Sequence, residues 1–384
     1  MSALAVALMI PASAHGYDFI NVADSTGPLS GFATGPLINI GAPSLNNNGT
    51  ASFWAGLDSG GAGIFTGNGG PITTIVDDSG PLNGFDLVTS INDSGVVGFH
   101  GGFDAGGRGI FSGSGGAVTT IADNSSTFSG FEHVAINNNG NVVFWASLTA
   151  GGQAIYTGDG SSTNLIADGS GPFISFFGLY PEINDSDVAL FRAALDVGGS
   201  GLFASDGSTT TTIADDSGPI QTIVDGTSIN NSGTVAFRAL FDGGGQGIFT
   251  GNGGPLTPIV DDTGPFLGFG QFVALNNSGD LAFLGFLDDG GIGIFTGSDP
   301  VADKVIAVGD SLFGSTVTAL GFSRGLNDNG DLAFLYQLEN GVSGVAITGT
   351  GVGIPEPSTW SLMVLGSILI SLMRRRNSSA SLCG

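Results

Sequence analysis

Cysteine is nearly absent from this chain. Its single copy, Cys383, is the penultimate residue, so the body can form no internal disulfide and carries neither a thiolate metal site nor a cysteine nucleophile. Histidine is almost as scarce: His15, His100 and His133 share no ligand-like spacing, which argues against a structural zinc site. Only eight residues are Lys or Arg, and three of them form one run, Arg374 to Arg376. Between His15 and Ile354 five basic residues face 32 Asp or Glu, a net charge of −27 that repels phosphate backbones and excludes nucleic acid as a partner. Also missing are a Gly-x-Ser-x-Gly elbow, a His-Glu-x-x-His pair and a phosphate loop. No motif announces catalysis.

What the chain does have is Gly, 69 copies, and Phe, 28 copies. The Gly follows no collagen-like period of three and recurs at fixed repeat positions, so it belongs to turns. Asn-x-x-Gly followed four residues later by Phe, with Asp in place of the Gly in the fourth copy, occurs seven times, as Asn46/Phe53, Asn92/Phe99, Asn137/Phe144, Asn184/Phe191, Asn230/Phe237, Asn276/Phe283 and Asn327/Phe334. Successive copies are 46, 45, 47, 46, 46 and 51 residues apart. Each unit divides into four short apolar pieces separated by turn signals. Between Ile223 and Asp262 these are GTSIN, TVAFRALF, QGIFTG and LTPIVDD, all too short for a typical helix.

Asn suits the first position of a type I turn, where its side chain bonds back to the backbone, and Gly suits the position three later, where φ is often positive. The Phe then falls on the following strand, facing the core. Asp58-Ser59-Gly60-Gly61 and its copies at Asp104, Asp196 and Asp288 mark the next hairpin.

Four strands in about 46 residues, seven times over, predict an all-β, seven-bladed β-propeller; an open β-repeat array is the alternative. The ends favour the ring. The seventh unit lacks a fourth strand, and Phe19 to Asp24 at the start of the chain parallels the missing piece. A strand so displaced would close a ring and leave no unpaired edge. The residue two before each motif Asn is small in six units (Ser44, Ser90, Ala135, Ser228, Ala274, Gly325), as crowding at an axis requires. Glu182 is the exception, either facing a channel or held as an ordinary hydrogen-bonded carboxylate.

The two ends read as addresses. Ala3 to Ile10 is a short apolar run before Pro11-Ala12-Ser13-Ala14, predicting a signal peptide over residues 1–14 that lacks the usual basic start. The repeat body is assigned to 15–347 and a Gly-rich linker to 348–354. Pro355-Glu356-Pro357 then precedes an apolar stretch from Trp360 to Met373 and the run Arg374, Arg375, Arg376. As a helix that stretch would rise about 21 Å against roughly 30 Å of hydrocarbon, a short transmembrane segment.

Residues 355–384 resemble the PEP-CTERM sorting signal: Pro-Glu-Pro, a hydrophobic helix and a basic cluster. The resemblance implies insertion in the inner membrane, processing by an exosortase-type enzyme, and delivery to the cell surface or matrix of exopolysaccharide-producing Gram-negative bacteria. The Asn-x-x-Gly-x-x-Ala-Phe pattern of the body also resembles a family of bacterial tandem-repeat surface proteins with interchangeable anchors. Asn230, Gly233, Ala236 and Phe237 fit it fully, whereas Asp187 replaces Gly in the fourth copy and Gly98 replaces Ala in the second. That family supplies class and address and no activity.

Binding is expected where units differ. After each motif Phe stand Trp54, His100, Trp145, Arg192, Arg238, Leu284 and Leu335. Aromatic faces and guanidinium forks there suit contact with saccharide, and the same positions suit packing against the adjacent blade. The carboxylates Asp77, Asp78, Asp215, Asp216, Asp261 and Asp262 sit in Gly-rich turns and read either as partial calcium ligands or as solvated turn residues. No other cofactor is expected. The sequence therefore predicts an exported, non-enzymatic surface or matrix protein with exopolysaccharide as its ligand class; the alternative is a glycan-active hydrolase or lyase on the same scaffold, which would need two carboxylates across a cleft.

Overall fold

The computed structural model describes residues 16–32 and 41–349, and every regular element among them is a β-strand. The signal segment, the Pro-Glu-Pro motif, the apolar stretch and the arginine run lie outside the described residues. Among the described residues no helix is long and apolar enough to cross a membrane.

Seven antiparallel sheets follow one another along the chain, and the chain is a seven-bladed β-propeller. Blade 5 illustrates the unit. Its innermost strand is Ile220–Ile223 continued by Ser228–Ile229, followed outward by Val235–Phe241, Gln246–Gly251 and Thr257–Asp261. Blade 7 is built from Ser315–Gly321, Ala333–Leu338 and Ser343–Gly349, and Asp18–Asp24 pairs with the last of these as its outermost strand. The N-terminal strand thus closes the ring, which removes the open-array alternative. Ser343–Gly349 also runs two residues into the stretch read as linker.

The motif Phe residues form the centre of each blade, all at 3 % exposure or less. In six blades the residue opposite on the third strand is also aromatic: Phe65, Phe111, Tyr156, Phe203, Phe249 and Phe295. Blade 7 breaks the rule, with Ala346 opposite Phe334. Phe19 of the closing strand fills that space, its ring edge-on to Phe334 at 5.8 Å. Tyr336 fastens the same strand by donating to Asn21 Oδ1 at 3.0 Å.

The motif Asn does two jobs. Asn46 Oδ1 accepts the backbone N–H groups of Asn48 and Thr50 at 3.1 and 2.9 Å, closing its own turn, and Asn92, Asn184 and Asn230 repeat the pattern. Its Nδ2 donates to the backbone carbonyl of the next blade's motif Asn. Seven such bonds of 2.9 to 3.2 Å run from Asn46 round to Asn327 and back to Asn46.

A second ring lies beside the first. The residue after each motif Asn is Asn47, Asp93, Asn138, Asp185, Asn231, Asn277 or Asp328, and each backbone N–H donates to the next side-chain oxygen at 2.7 to 2.9 Å. Where Asp187 replaces the motif Gly it adopts φ of 60°, a left-handed conformation that Asp tolerates. Its carboxylate also accepts Asn137 Nδ2 at 2.7 Å, which the Gly of the other units cannot do.

The belt predicts an asymmetric effect. Asn230→Ala would orphan two turn N–H groups and the Asn276 carbonyl at a site that is 5 % exposed. The expected loss is about 3 kcal/mol in urea unfolding. Asn230→Asp keeps the turn acceptor but turns a buried carboxylate oxygen toward the Asn276 carbonyl, so near neutral pH it should lose at least as much as Asn230→Ala. Both variants unfolding within about 0.5 kcal/mol of the parent would refute the belt's structural role.

Candidate functional site

Each inner strand ends at the Asn belt, so unit-to-unit variation collects toward its other end. There the ladder is interrupted twice. In blades 3 to 7 the first interruption is a one-residue bulge that ejects Ser129, Ile174, Gln221, Leu267 and Thr318. All five are exposed, Ile174 and Leu267 at 68 and 66 %. A bulge frees a side chain from the pairing pattern and re-aims it. Five different residues on a common backbone position make a variable rim.

The second interruption feeds the channel. His133 lies between paired Phe131 and Val134, Tyr180 between Phe177 and Glu182, and Phe272 between Phe269 and Val273. Asp86 and Asp225 occupy the breaks between the short inner-strand pieces of blades 2 and 5. Contacts between blades that are not neighbours show that these side chains meet across the axis. Tyr180 of blade 4 meets Phe272 of blade 6 edge-on at 5.1 Å, and it also stacks on His133 of the adjacent blade 3 at 4.1 Å. Arg324 of blade 7 donates to the Val134 carbonyl of blade 3 at 2.7 Å and pairs with Glu182 of blade 4, Nε to Oε1, at 2.5 Å. The cavity beside this pair holds about 120 Å³, room for a few waters and well below the size of a small-molecule pocket.

Most charges here are engaged. Asp86 Oδ2 accepts from His100 Nδ1 at 3.0 Å and lies 3.3 Å from His133 Nδ1. Burial alone would push the Asp86 carboxyl up, but the two imidazoles overcome it and hold the group well below the usual carboxylate range. Asp225 pairs with Arg192. Burial pushes the Tyr180 hydroxyl up; Arg324 opposes the shift, while Asp225, Asp86 and Glu132 add to it. Burial also pushes Glu182 up, and Arg324 pulls it back.

The residues singled out after the motif Phe lie between blades. Trp54 packs against the core of blade 2 and Trp145 against that of blade 4. Arg238 reaches the Phe269 carbonyl of blade 6 at 2.9 Å, and Arg192 reaches Asp225 of blade 5. Two of this set join the channel cluster: His100, buried at 2 % exposure, and Arg192 through Asp225.

The paired Asp residues diverge. Asp77, Asp215 and Asp261 each accept the N–H two residues on, at 3.0 Å. Asp78, Asp216 and Asp262 instead accept the N–H of Ala62, Ser200 and Gln246 at 3.2, 2.8 and 3.0 Å. None of the six belongs to a group of three ligand atoms within 4.8 Å; among the described residues that description fits Asp86, Glu132 and His133. Sequence spacing missed this group because Asp86 comes from blade 2 and the adjacent pair Glu132 and His133 from blade 3, all at breaks in the inner-strand ladder.

A family model described as Family of unknown function (DUF7453) matches residues 22–219, more than half of the chain. The chain belongs to this family. The matched DUF7453 span takes in part of the closing strand and blades 1 to 4. No curated protein matches. Among solved structures, an oligogalacturonate lyase in complex with manganese aligns over 90 % of this chain and 99 % of its own, at TM-score 0.56 and 10 % identity. The β-propeller domain of the Trilobed protease from Pyrococcus furiosus, with an open velcro topology, aligns over 82 and 96 % at TM-score 0.55 and 7 % identity. A puromycin-hydrolyzing peptidase of Mycobacterium tuberculosis aligns over 82 and 51 % at TM-score 0.53 and 12 % identity. These likenesses carry the propeller fold alone.

The Arg324–Glu182 pair gives a pH-dependent prediction. Arg324→Met removes the partner that draws Glu182 down, so its folded pKa rises further above the ordinary 4.5. A raised carboxyl favours the folded state below the unfolded pKa, and that advantage is lost as pH rises through the folded one. The variant should lose about 3 kcal/mol at pH near 8 and much less near pH 4.5, and Glu182→Gln should restore most of the loss. Equal losses at both pH values, measured by urea unfolding, would show that Arg324 acts by packing alone.

Proposed function

We propose that this chain is an exported, non-enzymatic repeat propeller of the cell surface or matrix, delivered through its PEP-CTERM-type tail and binding a neutral polysaccharide at the channel mouth. The observation that carries the non-enzymatic reading is that three of the four acidic groups named at the mouth are already paired, which leaves Glu132 with no second free carboxylate. Glu182 is engaged by Arg324, Asp225 by Arg192, and Asp86 by His100. Hydrolysis of a glycoside needs an acid and a base set apart across a sugar, each free to exchange protons. Tyr180, Phe272 and Arg324 narrow the channel, so a polymer would lie over the mouth rather than thread it. The exposed rim of Ser129, Ile174, Gln221, Leu267 and Thr318 mixes hydroxyl, amide and apolar groups suited to sugar edges and faces. The body's net charge of −27 opposes acidic polymers, which favours a neutral one.

The address rests on residues 1–14 as signal, on Pro355-Glu356-Pro357, on a short membrane helix from Trp360 to Met373, and on Arg374 to Arg376. An exosortase-type enzyme is the expected processing partner, with the inner membrane holding the intermediate.

Incubating the purified protein with a panel of bacterial and plant polysaccharides should give retention on a neutral polymer and no shortened product. Reproducible product release would establish the glycan-active alternative. For the address, replacing Pro355, Glu356 and Pro357 by Ala should leave uncleaved protein in the membrane fraction. Parental amounts of that variant in the matrix or medium would refute the sorting reading.

A further inference from the structure

We propose that Asp86, Glu132 and His133 form a binding site for one divalent transition-metal ion at the channel mouth, with Zn²⁺ as the best-matched ion. Ligand atoms of the three lie within 4.8 Å of one another. His133 Nδ1 and Asp86 Oδ2 are 3.3 Å apart, close to the spacing of two ligands that each sit about 2.0–2.2 Å from a tetrahedral ion. A second observation points the same way. His133 Nδ1 is sealed from solvent and makes no well-aligned hydrogen bond, its 3.3 Å contact with Asp86 Oδ2 included. Buried polar atoms are rarely left so, because the desolvation is uncompensated. Coordination would satisfy it.

The surroundings suit the role. The His133 ring is held flat against Tyr180 at an interplanar angle of 9°, which fixes the direction of its nitrogen. His100 donates to the Asp86 carboxylate, the kind of outer hydrogen bond that orients a ligating group. Two carboxylates balance the charge of a divalent ion, and the imidazole favours Zn²⁺ and its neighbours over calcium or magnesium, which take oxygen. Three protein ligands leave a position open at the mouth. The inference stands apart from the polysaccharide reading, since a metal here serves a binding surface of any specificity.

The test is calorimetric titration of the full chain, freed of metal by a chelator, with Zn²⁺ and separately with Co²⁺. One ion should bind per chain, and Co²⁺ should develop the visible absorption of a nitrogen-containing site. His133→Gln and Glu132→Gln should each weaken Zn²⁺ binding by ~10-fold or more, and His100→Gln should weaken it by a smaller factor through Asp86. Circular dichroism and the unfolding midpoint identify which variants keep the fold. Asp77→Asn/Asp78→Asn, which alters a turn pair elsewhere, should bind as the parent does. No Zn²⁺ binding by the parent, or unchanged affinity in folded His133→Gln or Glu132→Gln protein, would overturn the proposal, as would loss of binding in the Asp77/Asp78 variant alone.

Discussion

The carboxamide of the motif Asn is the constraint on which the rest of the architecture depends. Blades in a ring share their long faces with their neighbours, so one link repeated at each boundary determines both how units stack and whether the circle closes. That link must end a turn within its own blade and reach the backbone of the next. An amide does both, with two lone pairs for the turn and N–H groups for the neighbour. A carboxylate lacks the donor, and a hydroxyl has only one proton to offer. Buried at 3 to 5 % exposure in all seven units, the Asn is fixed by local chemistry. The Phe seven residues on then falls at the blade centre as a matter of strand geometry.

Much of this was legible in the sequence because it repeats. The period gave the blade count, the Asn and Gly gave the turn, and the orphaned fragment from Phe19 to Asp24 gave the closure. Small residues before the Asn marked the axis, whereas Gly325 answers to a constraint within its own blade: a Cβ there would stand 2.0 Å from the Ala333 carbonyl oxygen. The belt's outward half was hidden. Asn47 and Asp93 look like interchangeable polar turn residues until the ring places each one's N–H on the next one's side chain. The channel cluster was hidden more deeply, since Asp86, His133 and Tyr180 occupy departures from the repeat, where periodicity carries no information. Residues after the motif Phe varied for another reason, filling unequal gaps between blades.

The two ends of the channel therefore differ in kind. At the belt, Asp93, Asp185 and Asp328 are each flanked by Asn side chains that donate to them, so negative charge is spread through a closed set of amides. At the opposite end, side chains meet in pairs: Asp86 with His100 in one blade, Arg192 with Asp225 between neighbours, and Arg324 with Glu182 across the axis. One end is a uniform fastening and the other differs from blade to blade. Variation tolerated by the scaffold is concentrated where inner strands leave their ladder.

The closing strand also has consequences in time. Ser25 donates to the carbonyl of Ser343, so the contact that completes blade 7 joins segments more than 300 residues apart. Contacts between such distant segments form late, because the intervening chain must first be ordered. Blades 1 to 6 can build on one another as they emerge, while blade 7 waits for a strand that emerged first. During that interval Ser343–Gly349 has an open edge and Phe334 an empty space opposite Ala346. With no cysteine in the body to hold a misjoined intermediate covalently, an incorrect pairing stays reversible. The first strand can exchange on and off that edge until Phe19 seats.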